Sequence, residues 1–405
     1  MARHGLEGTV PAQSTLEFKQ DPPVPSFLLK DVVAKLAYLD ERLAGAAISN
    51  KGDLITVSLR TEPEPGLREI LADRIRTVVE AMTKGAFEPP LRVIEEHDYG
   101  GTYADDPMPE LMARREVVQE GPGYFVTGPL LSRVIEHFER RLLGVATTMN
   151  ASPYRFPALI SPEYMEKVQY FKNFPHSLTF ATHLRENLPD IQRFSCDAVT
   201  TDGRVTIDNS VYAPASALLA PTICHHLYLT LNGSRLGRNG VVATASGHCF
   251  RYESYNMVSL ERVWNFTMRE IIFVGSEPHV RTKLDEARKH IHPILAEFEI
   301  THRIMTANDP FFIGTFRDQA AYQAAFELKY EIRAKLPHKG DTVAIGSYNR
   351  HGDFFGRTLD IRLEDGSPAH TGCIGIGFER LAYAFVAQHG IDPTKWPPKV
   401  REAIG

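Results

Sequence analysis

The stretch TGCIGIGFERLAYAFVAQHG, residues 371–390, is predicted to form a buried strand that continues into an amphipathic helix. Its first part, Cys373–Gly377, alternates small and β-branched residues as a buried strand does, and its glycines leave room for a ligand or a neighbouring backbone. Arg380 follows in the first turn of a predicted helix, where its charge can meet a phosphate at the end of the strand. The helix is predicted because apolar residues recur at intervals of three and four, at Phe378, Leu381, Ala382 and Phe385. Alone this pattern is a weak indication of function, since packed strand–helix joints often contain two glycines.

A second stretch predicts a hairpin suited to a nucleotide. GHCFRYE, residues 247–253, reads as a strand, and ERVWNFTMREIIFVG, residues 261–275, reads as its return strand. Arg251 and Glu253 are two residues apart, so their side chains share a face. Arg251 can hold an α-phosphate through two hydrogen bonds, Phe266 can stack on an adenine, and Glu253 can accept from an amine or from metal-bound water. The alternative is a solvated hairpin with ordinary cross-strand Arg–Glu pairs.

Composition indicates an ordinary soluble globular protein. The chain has 405 residues, of which 43% are hydrophobic and 23% charged, enough for one large domain or two. No apolar run approaches the length of a membrane span, and the N-terminus lacks the apolar core of a signal peptide. We therefore expect a cytoplasmic protein without a membrane partner.

The chain is predicted to divide into three parts. Residues 1–26 lack periodicity and are predicted to form a flexible tail. Residues 27–110 are predicted to form a small acidic α/β domain, whose role the sequence does not indicate, ending in the turn-rich linker Tyr99–Pro109. Residues 111–405 lack a regular βαβ rhythm, which favours an α+β domain around an antiparallel sheet. Helices are predicted at 28–43, 67–82, 128–143 and 277–300, and strands at 53–61, 91–97, 145–156, 220–231 and 326–336.

Together, the motifs resemble those of a known enzyme class. FRYE at 250–253 with RVWNF at 262–266 resembles motif 2 of the class II aminoacyl-tRNA synthetases, and GIGFER at 375–380 resembles motif 3. The helix and strand that end at Pro157 resemble motif 1, which builds the dimer interface in that class. The resemblance covers roughly residues 122–400. It implies an antiparallel sheet flanked by helices and a homodimer.

Three further residues narrow the resemblance. Cys224, Glu270 and Cys373 match the zinc ligands of atypical, archaeal-type seryl-tRNA synthetases and of their shortened relatives, the amino acid:carrier-protein ligases. Two thiolates and one carboxylate leave one zinc position open, which is the pattern of a catalytic site, and the amine of an amino acid could fill it. The remaining cysteines, Cys196 and Cys249, match no ligand position and are assigned to packing.

The resemblance also implies how ATP is held. Arg251 would bind the α-phosphate, Arg262 and Arg380 the terminal phosphates, and Phe266 with Arg380 would enclose the adenine, with Glu253 close by. Magnesium is expected. Seryl-tRNA synthetases carry a magnesium-binding glutamate where this sequence has Ala344, so the metal would be held by other groups, such as Glu253 or Asp353.

Two acceptors for the activated amino acid remain open. The favoured function is activation of glycine, alanine or serine as an aminoacyl-adenylate and transfer to the phosphopantetheine thiol of a carrier protein. The alternative is a zinc-dependent seryl-tRNA synthetase. Residues 1–127 hold 14 Lys and Arg against 21 Asp and Glu, and an acidic extra domain is poorly suited to tRNA. A catalytically inactive relative is disfavoured, because the arginines and the three zinc-type ligands occur together.

Overall fold

A computed structural model describes residues 14–86, 92–101, 103–309 and 328–404. Residues 1–13 of the predicted tail, Leu91, and residues 326–327 of a predicted strand lie outside these ranges. The strands are β1 (Ser14–Lys19), β2 (Leu43–Ile48), β3 (Leu54–Leu59), β4 (Val93–His97), β5 (Val117–Gly121), β6 (Tyr124–Thr127), β7 (Ser152–Pro153), β8 (Leu159–Ile160), β9 (Phe180–Ala181), β10 (Val199–Thr201), β11 (Arg204–Thr206), β12 (Ala217–Leu219), β13 (Val241–Phe250), β14 (Asn265–Gly275), β15 (His302–Thr306), β16 (Lys329–Leu336), β17 (Asp341–Gly352) and β18 (His370–Gly377). The helices are α1 (Leu29–Leu36), α2 (Leu67–Thr83), α3 (Pro107–Ala113), α4 (Pro129–Thr148), α5 (Pro162–Lys167), α6 (Tyr170–Asn173), α7 (Leu188–Asp197), α8 (Cys224–Thr230), α9 (Glu277–Glu297), α10 (Phe354–Thr358), α11 (Phe378–His389) and α12 (Pro398–Ile404).

The centre of the fold is an eight-stranded sheet in the order β4-β15-β16-β17-β18-β14-β13-β7. Its strand pairs are antiparallel except β13 and β7, which run parallel. β18 lies in the middle of the sheet and continues directly into α11, as the pattern of residues 371–390 predicts. The expected α+β fold with an antiparallel sheet is confirmed.

The two faces of this sheet bury different cores. On β18, Ile374 and Ile376 pack into the core shared with α4, α9 and α11, while Cys373 belongs to a second core on the other face. On β14 the neighbours Ile271 and Ile272 divide in the same way. Neighbouring residues enter different cores because successive side chains of a strand point to opposite faces of the sheet. α4, α9 and α11 cover one face, and the other face is left for a site.

A small sheet in the order β1-β3-β2 packs with α1 and α2 around a core of its own. β1 lies within the predicted flexible tail, but the structure pairs it with β3 along its whole length. The alternation of Leu16 and Phe18 is the cause, and it was missed because Pro and Gln dominate the surrounding sequence. The first predicted helix ends at Leu36 instead of Leu43, where β2 begins. β2 is rich in alanine and is defined by its pairing with β3.

β4 departs from the predicted domain organisation. The sequence analysis placed it in the small domain, but it pairs with β15 at the edge of the large sheet, with His97 opposite His302. A local pattern predicts a strand but not its partner. The predicted linker also ends in helix, because α3 begins at Pro107 with the Asp106 side chain accepting from the Met108 N–H at 3.0 Å.

The elements of the larger part differ in length from their predictions. α4 extends to Thr148, so the strand predicted at 145–156 is reduced to β7. α9 and β16 form where they are predicted, within a few residues at each end. Among the described residues, no helix is both long enough and apolar enough to cross a membrane.

Candidate active site and metal centre

Cys224, Glu270 and Cys373 meet on the face of the sheet opposite the helices. In the pairing of β14 with β18, Glu270 lies opposite Gly375 and Ile272 lies opposite Cys373, so Glu270 and Cys373 are diagonal neighbours on one face. α8 supplies Cys224 from above this face. One ligand atom from each residue lies within 4.8 Å of the other two, and all three residues are buried. The structure thus brings together the three residues that the sequence analysis assigned to a metal.

Gly375 leaves the room that Glu270 needs. A Cβ atom at Gly375 would lie 3.0 Å from Cε of Met268 and 3.4 Å from Cγ of Glu270. These contacts are tight for a packed interior, so a larger residue would push the carboxylate away from the two sulfurs. The predicted role of the glycine as a place of close approach agrees with this packing.

The backbone around Cys224 differs from its prediction. The sequence analysis placed Cys224 on a strand at 220–231, but Cys224 begins α8. The Glu270 carboxylate accepts from the N–H groups of Ile223 at 3.2 Å and Cys224 at 3.1 Å, which have no partner within the helix, and from the Thr222 hydroxyl at 2.6 Å. This contact between distant parts of the chain favours the helix over the strand.

The donor set fits zinc. Glu270 is 1% exposed, and among the described residues no cationic side chain forms an ion pair with it. The neighbouring Cys224 thiol and burial both raise the pKa of Cys373 well above its usual value, so a nearby cation would favour its thiolate form. Soft sulfur ligands beside a carboxylate suit zinc, and a divalent ion would supply the missing positive charge. The Asn349 amide lies 3.6 Å from the Cys373 sulfur and was not predicted from the sequence.

Arg251 lies directly beside this cluster. Its Nε–H donates to the carbonyl of Pro221 at 2.9 Å, and the next residue, Thr222, donates to Glu270. Arg251 also stacks over the ring of Phe266, with its guanidinium carbon 5.4 Å from the ring centroid. Pro221 and Thr222, which are consecutive, therefore contact Arg251 and Glu270 respectively. They hold the proposed phosphate-binding arginine and the proposed metal ligand at adjacent positions.

Glu253 lies between the other two predicted arginines. Its carboxylate forms an ion pair with Arg262 and lies 3.7 Å from Nη2 of Arg380. Burial acts to raise the pKa of Glu253, but the charges of Arg262 and Arg380 outweigh it, and the pKa is lowered. The structure thus gathers all five residues predicted for ATP around one region, with Glu253 as the counter-charge of the arginines.

α11 is tied to the hairpin through a residue that the sequence analysis did not assign. Glu379 accepts from the backbone N–H of Thr267 at 2.9 Å and from its hydroxyl at 2.8 Å. Arg380, the next residue, donates through Nε to the carbonyl of Glu261 at 2.5 Å. These contacts fix the first turn of α11 against the beginning of the return strand and the segment before it, and so they position Arg380.

The small domain contacts the loop that carries Arg251 and Glu253. The Tyr38 hydroxyl donates to the carbonyl of Tyr252 at 3.1 Å, and the Ser254 hydroxyl donates to the carbonyl of Ala37 at 3.1 Å. Tyr255 packs against the small core. The loop between the two hairpin strands is therefore held partly by residues outside the larger domain.

Comparison with known proteins decides the family. "Amino acid--[acyl-carrier-protein] ligase 2" of Bradyrhizobium diazoefficiens is 30% identical over 289 residues, which cover 70% of this chain and 83% of that protein. The chain belongs to this ligase family. "Amino acid--[acyl-carrier-protein] ligase 1" of the same organism is 29% identical to our ligase over 308 residues, or 74% of this chain and 90% of that protein. No protein-family model matches the sequence.

This ligase also has relatives of a second kind. A type-2 serine--tRNA ligase of Methanothermobacter thermautotrophicus is 25% identical over 430 residues, covering 99% of this chain and 80% of that protein. The crystal structure of Methanopyrus kandleri SerRS with Aquifex aeolicus tRNASec superposes with a TM-score of 0.71 at 20% identity. It covers 96% of this chain and 77% of that chain, and it confirms the class II synthetase fold.

The residues discussed for magnesium in this ligase, Ala344, Asp353 and Glu253, have different surroundings. Ala344 accepts through its carbonyl from Nη1 of Arg380 at 3.4 Å, and its side chain offers no ligand. Asp353 is bound to Arg357 at 2.6 Å, whereas Glu253 lies among the arginines of the proposed ATP site. Both carboxylates are thus paired with arginine, and Glu253 is the one that lies beside Arg262 and Arg380.

Lys329 is a cation of the ligase that the sequence analysis missed. It is buried, with its Nζ 2.7 Å from Asp309 and 3.3 Å from Glu331, and it lies close enough to Arg251 for the two charges to interact. Burial acts to lower the pKa of Lys329, but Asp309 and Glu331 outweigh it and raise the pKa. Its sequence context, a strand of alternating charges, gave no sign of a site.

The two remaining cysteines have different surroundings. Cys249 is completely buried in the core beneath the hairpin, as its assignment to packing requires. Cys196 lies on α7 and is exposed, so its assignment to packing was wrong. α7 is amphipathic but buries none of its residues fully, which the local pattern alone could not reveal.

Proposed function

We propose that the protein activates a small amino acid with ATP as an aminoacyl-adenylate and transfers it to the phosphopantetheine thiol of a carrier protein. The observation that carries this proposal is the convergence of Cys224, Glu270 and Cys373 within 4.8 Å, beside Arg251. Membership of a family whose named relatives act on amino acids and acyl-carrier proteins supports the acceptor.

The amino acid would bind at the buried cluster. Cys224, Glu270 and Cys373 would hold a zinc ion with one position open to the amine of the substrate. When bound, zinc would supply a Lewis acid that favours the neutral form of this amine. The hydroxyl of Thr222 and the amide of Asn349 lie beside these ligands and hold them in place. The burial of the cluster favours a small substrate, namely glycine, alanine or serine.

Adenylation would then depend on the relative position of the two substrates and on the positive charge of the arginines around the phosphates. The substrate carboxylate attacks the α-phosphorus of ATP, the bond to the β-phosphate oxygen breaks, and pyrophosphate leaves. Arg251 would stabilise the charge that develops on the α-phosphate, and Arg262 and Arg380 would bind the leaving pyrophosphate. Glu253 pairs with Arg262 and Arg380 before ATP binds and would bind magnesium once the phosphates of ATP contact these arginines. Phe266 would stack on the adenine.

The second half-reaction would form a thioester. The carrier thiol sulfur bonds to the carbonyl carbon of the adenylate, the bond to the phosphate oxygen of AMP breaks, and the thiol proton passes to solvent. A carrier protein is proposed over tRNA, because the part of the chain outside the larger domain is acidic.

Pyrophosphate exchange tests the first half-reaction. With ATP, magnesium and glycine, alanine or serine, the purified protein should exchange labelled pyrophosphate into ATP. A hydroxy acid of the same size should not support exchange, because it has no amine for the metal. Absence of exchange with all three amino acids would contradict the proposal.

Transfer to tRNA is the second candidate. It is favoured by the tRNA-ligase relative that matches 99% of the chain, whereas the two carrier-protein ligases match 70% and 74%. A side-by-side assay decides between them: labelled amino acid is offered to a holo carrier protein and to total tRNA. We expect label on the carrier protein, and label on tRNA alone would overturn our choice.

A homodimer is proposed for the protein in solution. The resemblance places motif 1 in a dimer interface, and this region exposes the apolar side chains of Leu143 on α4 and of Tyr124 and Val126 on β6. Light scattering during gel filtration should give twice the chain mass of 45.4 kDa. A single chain mass over the working concentration range would contradict the dimer.

A further inference from the structure

Three histidines from distant parts of the chain meet at one edge of the large sheet. His97 ends β4, His302 begins β15 directly opposite it, and His292 projects from α9. The ring centroid of His97 lies 4.3 Å from that of His292 and 5.1 Å from that of His302. One ring nitrogen of each histidine lies within 4.8 Å of the other two. We call these residues the histidine cluster.

The hydrogen bonds of the cluster leave one ring nitrogen of each histidine without a partner among the described residues. Nδ1 of His302 lies 2.7 Å from the carbonyl oxygen of Ile300, and because a carbonyl only accepts, Nδ1 carries the proton. Nε2 of His302 is then an acceptor, and within the described ranges it is buried and without a hydrogen-bond partner. Nε2 of His97 and Nδ1 of His292 are buried and without a partner in the same way.

Such a group of nitrogens needs an explanation. A buried polar atom without a partner costs free energy, and three in one place are rare in native proteins. Stacking of neutral rings would explain the short centroid distances, but it would leave the three nitrogens unsatisfied. A cation that accepts their lone pairs satisfies all three at once.

The geometry and the donor chemistry suit a transition metal. Imidazole is a ligand for zinc, copper, nickel and iron, and a ring whose other nitrogen donates to a backbone carbonyl, as in His302, is held in the metal-binding tautomer. Nitrogen ligands at about 2.0–2.1 Å from a tetrahedral zinc ion lie about 3.3 Å apart, so the rings need to approach each other by at most about 1.5 Å. Oε2 of Glu95 lies 3.8 Å from Nε2 of His97, and its Oε1 is paired with Arg288 at 3.5 Å, so the three histidines alone supply the ligands from the protein.

We propose that His97, His292 and His302 bind a divalent transition-metal ion, with zinc as the first candidate, in a structural site. The ion would fasten the edge strand β4 and the helix α9 to β15. Three strands, β15, β16 and β17, separate β4 from β18, so this site shares no residue with the Cys224, Glu270 and Cys373 cluster. It does not depend on the proposed function.

Cobalt binding separates the two sites. Metal-free protein is prepared with a chelator and titrated with Co²⁺, with metal analysis and absorption spectra recorded at each step. Cobalt bound to thiolate gives a sulfur-to-metal charge-transfer band, whereas cobalt bound by imidazole nitrogens does not. We expect two Co²⁺ ions per chain, one with this band and one without it.

Variants then assign each ion. His292→Asn should bind one Co²⁺ per chain and keep the charge-transfer band, while His290→Asn, two residues away on the same helix and outside the cluster, should bind two. Cys373→Ser should bind one ion and lose the band. If His292→Asn changes its fold, as judged by circular dichroism, His302→Gln serves as the second test.

The outcomes distinguish this proposal from the proposed function. If His292→Asn and His302→Gln bind as much metal as the unchanged protein, or if the unchanged protein binds only the thiolate-bound ion, the histidine site is overturned. If the histidine-dependent ion is present and the charge-transfer band is missing, this proposal stands and the proposed catalytic metal centre fails.

Discussion

The cluster of Cys224, Glu270 and Cys373 and the histidine cluster are both groups of three metal-ligating side chains, but they occupy different parts of the same sheet. The first lies on the central strands β14 and β18, and its three residues are all buried. The second lies at the edge strand β4, and only His302 is fully buried. The central cluster adjoins the arginines of the proposed ATP site, whereas the edge cluster joins three elements at the border of the larger domain.

A site on the central strands and a site at the edge of the sheet are therefore suited to different roles, the first to chemistry and the second to structure. A centre for chemistry needs an enclosed pocket with a fixed surround, such as the Thr222 hydroxyl that holds Glu270. An edge strand has one free side and is held by fewer neighbours. A metal ion there would therefore chiefly stabilise the position of the strand. Loss of the first cluster should therefore abolish activity, and loss of the second should change metal content and stability with little effect on chemistry.

Cys373→Ser should have the largest effect. Removing a sulfur ligand should lower pyrophosphate exchange by more than about 100-fold, the upper range found when only an outer-shell partner of a metal ligand is lost. Zinc content should fall by one ion per chain in the same preparation. Cys196→Ser, at an exposed cysteine, is the matched control and should keep both. A Cys373→Ser protein with full zinc content would remove this residue from the ligand set.

Arg251→Lys should have the next largest effect. Lysine keeps the charge but cannot form the paired hydrogen bonds of a guanidinium, so exchange should fall about 100-fold, as for the loss of one transition-state donor. The metal content of both clusters should stay unchanged. Arg238→Lys, at an exposed arginine on a loop, is the control and should behave like the unchanged protein. A normal exchange rate in Arg251→Lys would show that this arginine does not contact the α-phosphate.

The two clusters were not equally predictable from the sequence. The central cluster could be predicted, because Cys224, Glu270 and Cys373 match the zinc ligands of the enzymes that the motifs resemble. The histidine cluster could not be predicted, because 16 histidines offer many groups of three. Its existence depends on the pairing of β4 with β15 and on the position of α9 against them, which no local pattern contains.

Secondary structure, too, was predictable only where local sequence patterns determine it. β14, β18 and α11 follow from alternation and helical periodicity, whereas the strand predicted at 247–253 ends at Phe250, so Arg251 and Glu253 lie beyond β13. The helical state of Cys224 does not, because a short apolar run is compatible with either a strand or a helix, and here the distant Glu270 carboxylate favours the helix. Contacts between parts far apart in sequence also decide the place of β4 and the packing of the small domain on the loop at Tyr252.

Thr222→Val should have a moderate effect that is confined to the central cluster. The substitution keeps the shape of the side chain but removes the hydroxyl that donates to Glu270 at 2.6 Å. Loss of such a partner should lower the zinc affinity of this cluster by about 10- to 100-fold, measured by competition with a chelator. Thr222→Ser keeps the hydroxyl and should restore the affinity. An unchanged affinity in Thr222→Val would mean that the hydroxyl does not orient the carboxylate.

Tyr38→Phe should have the smallest effect and should leave both clusters intact. It removes one neutral hydrogen bond, to the carbonyl of Tyr252, between the small domain and the loop that carries Arg251 and Glu253. Because such a bond contributes about 0.5–1.5 kcal/mol, the KM for ATP should rise by no more than about tenfold, with metal content unchanged. Tyr212→Phe, whose hydroxyl forms no hydrogen bond among the described residues, is the control. A rise in the KM for ATP that Tyr212→Phe does not share would give the small acidic domain its first role, namely support of the ATP-binding loop. A loss of metal in Tyr38→Phe would show that this loop and the metal clusters are not independent.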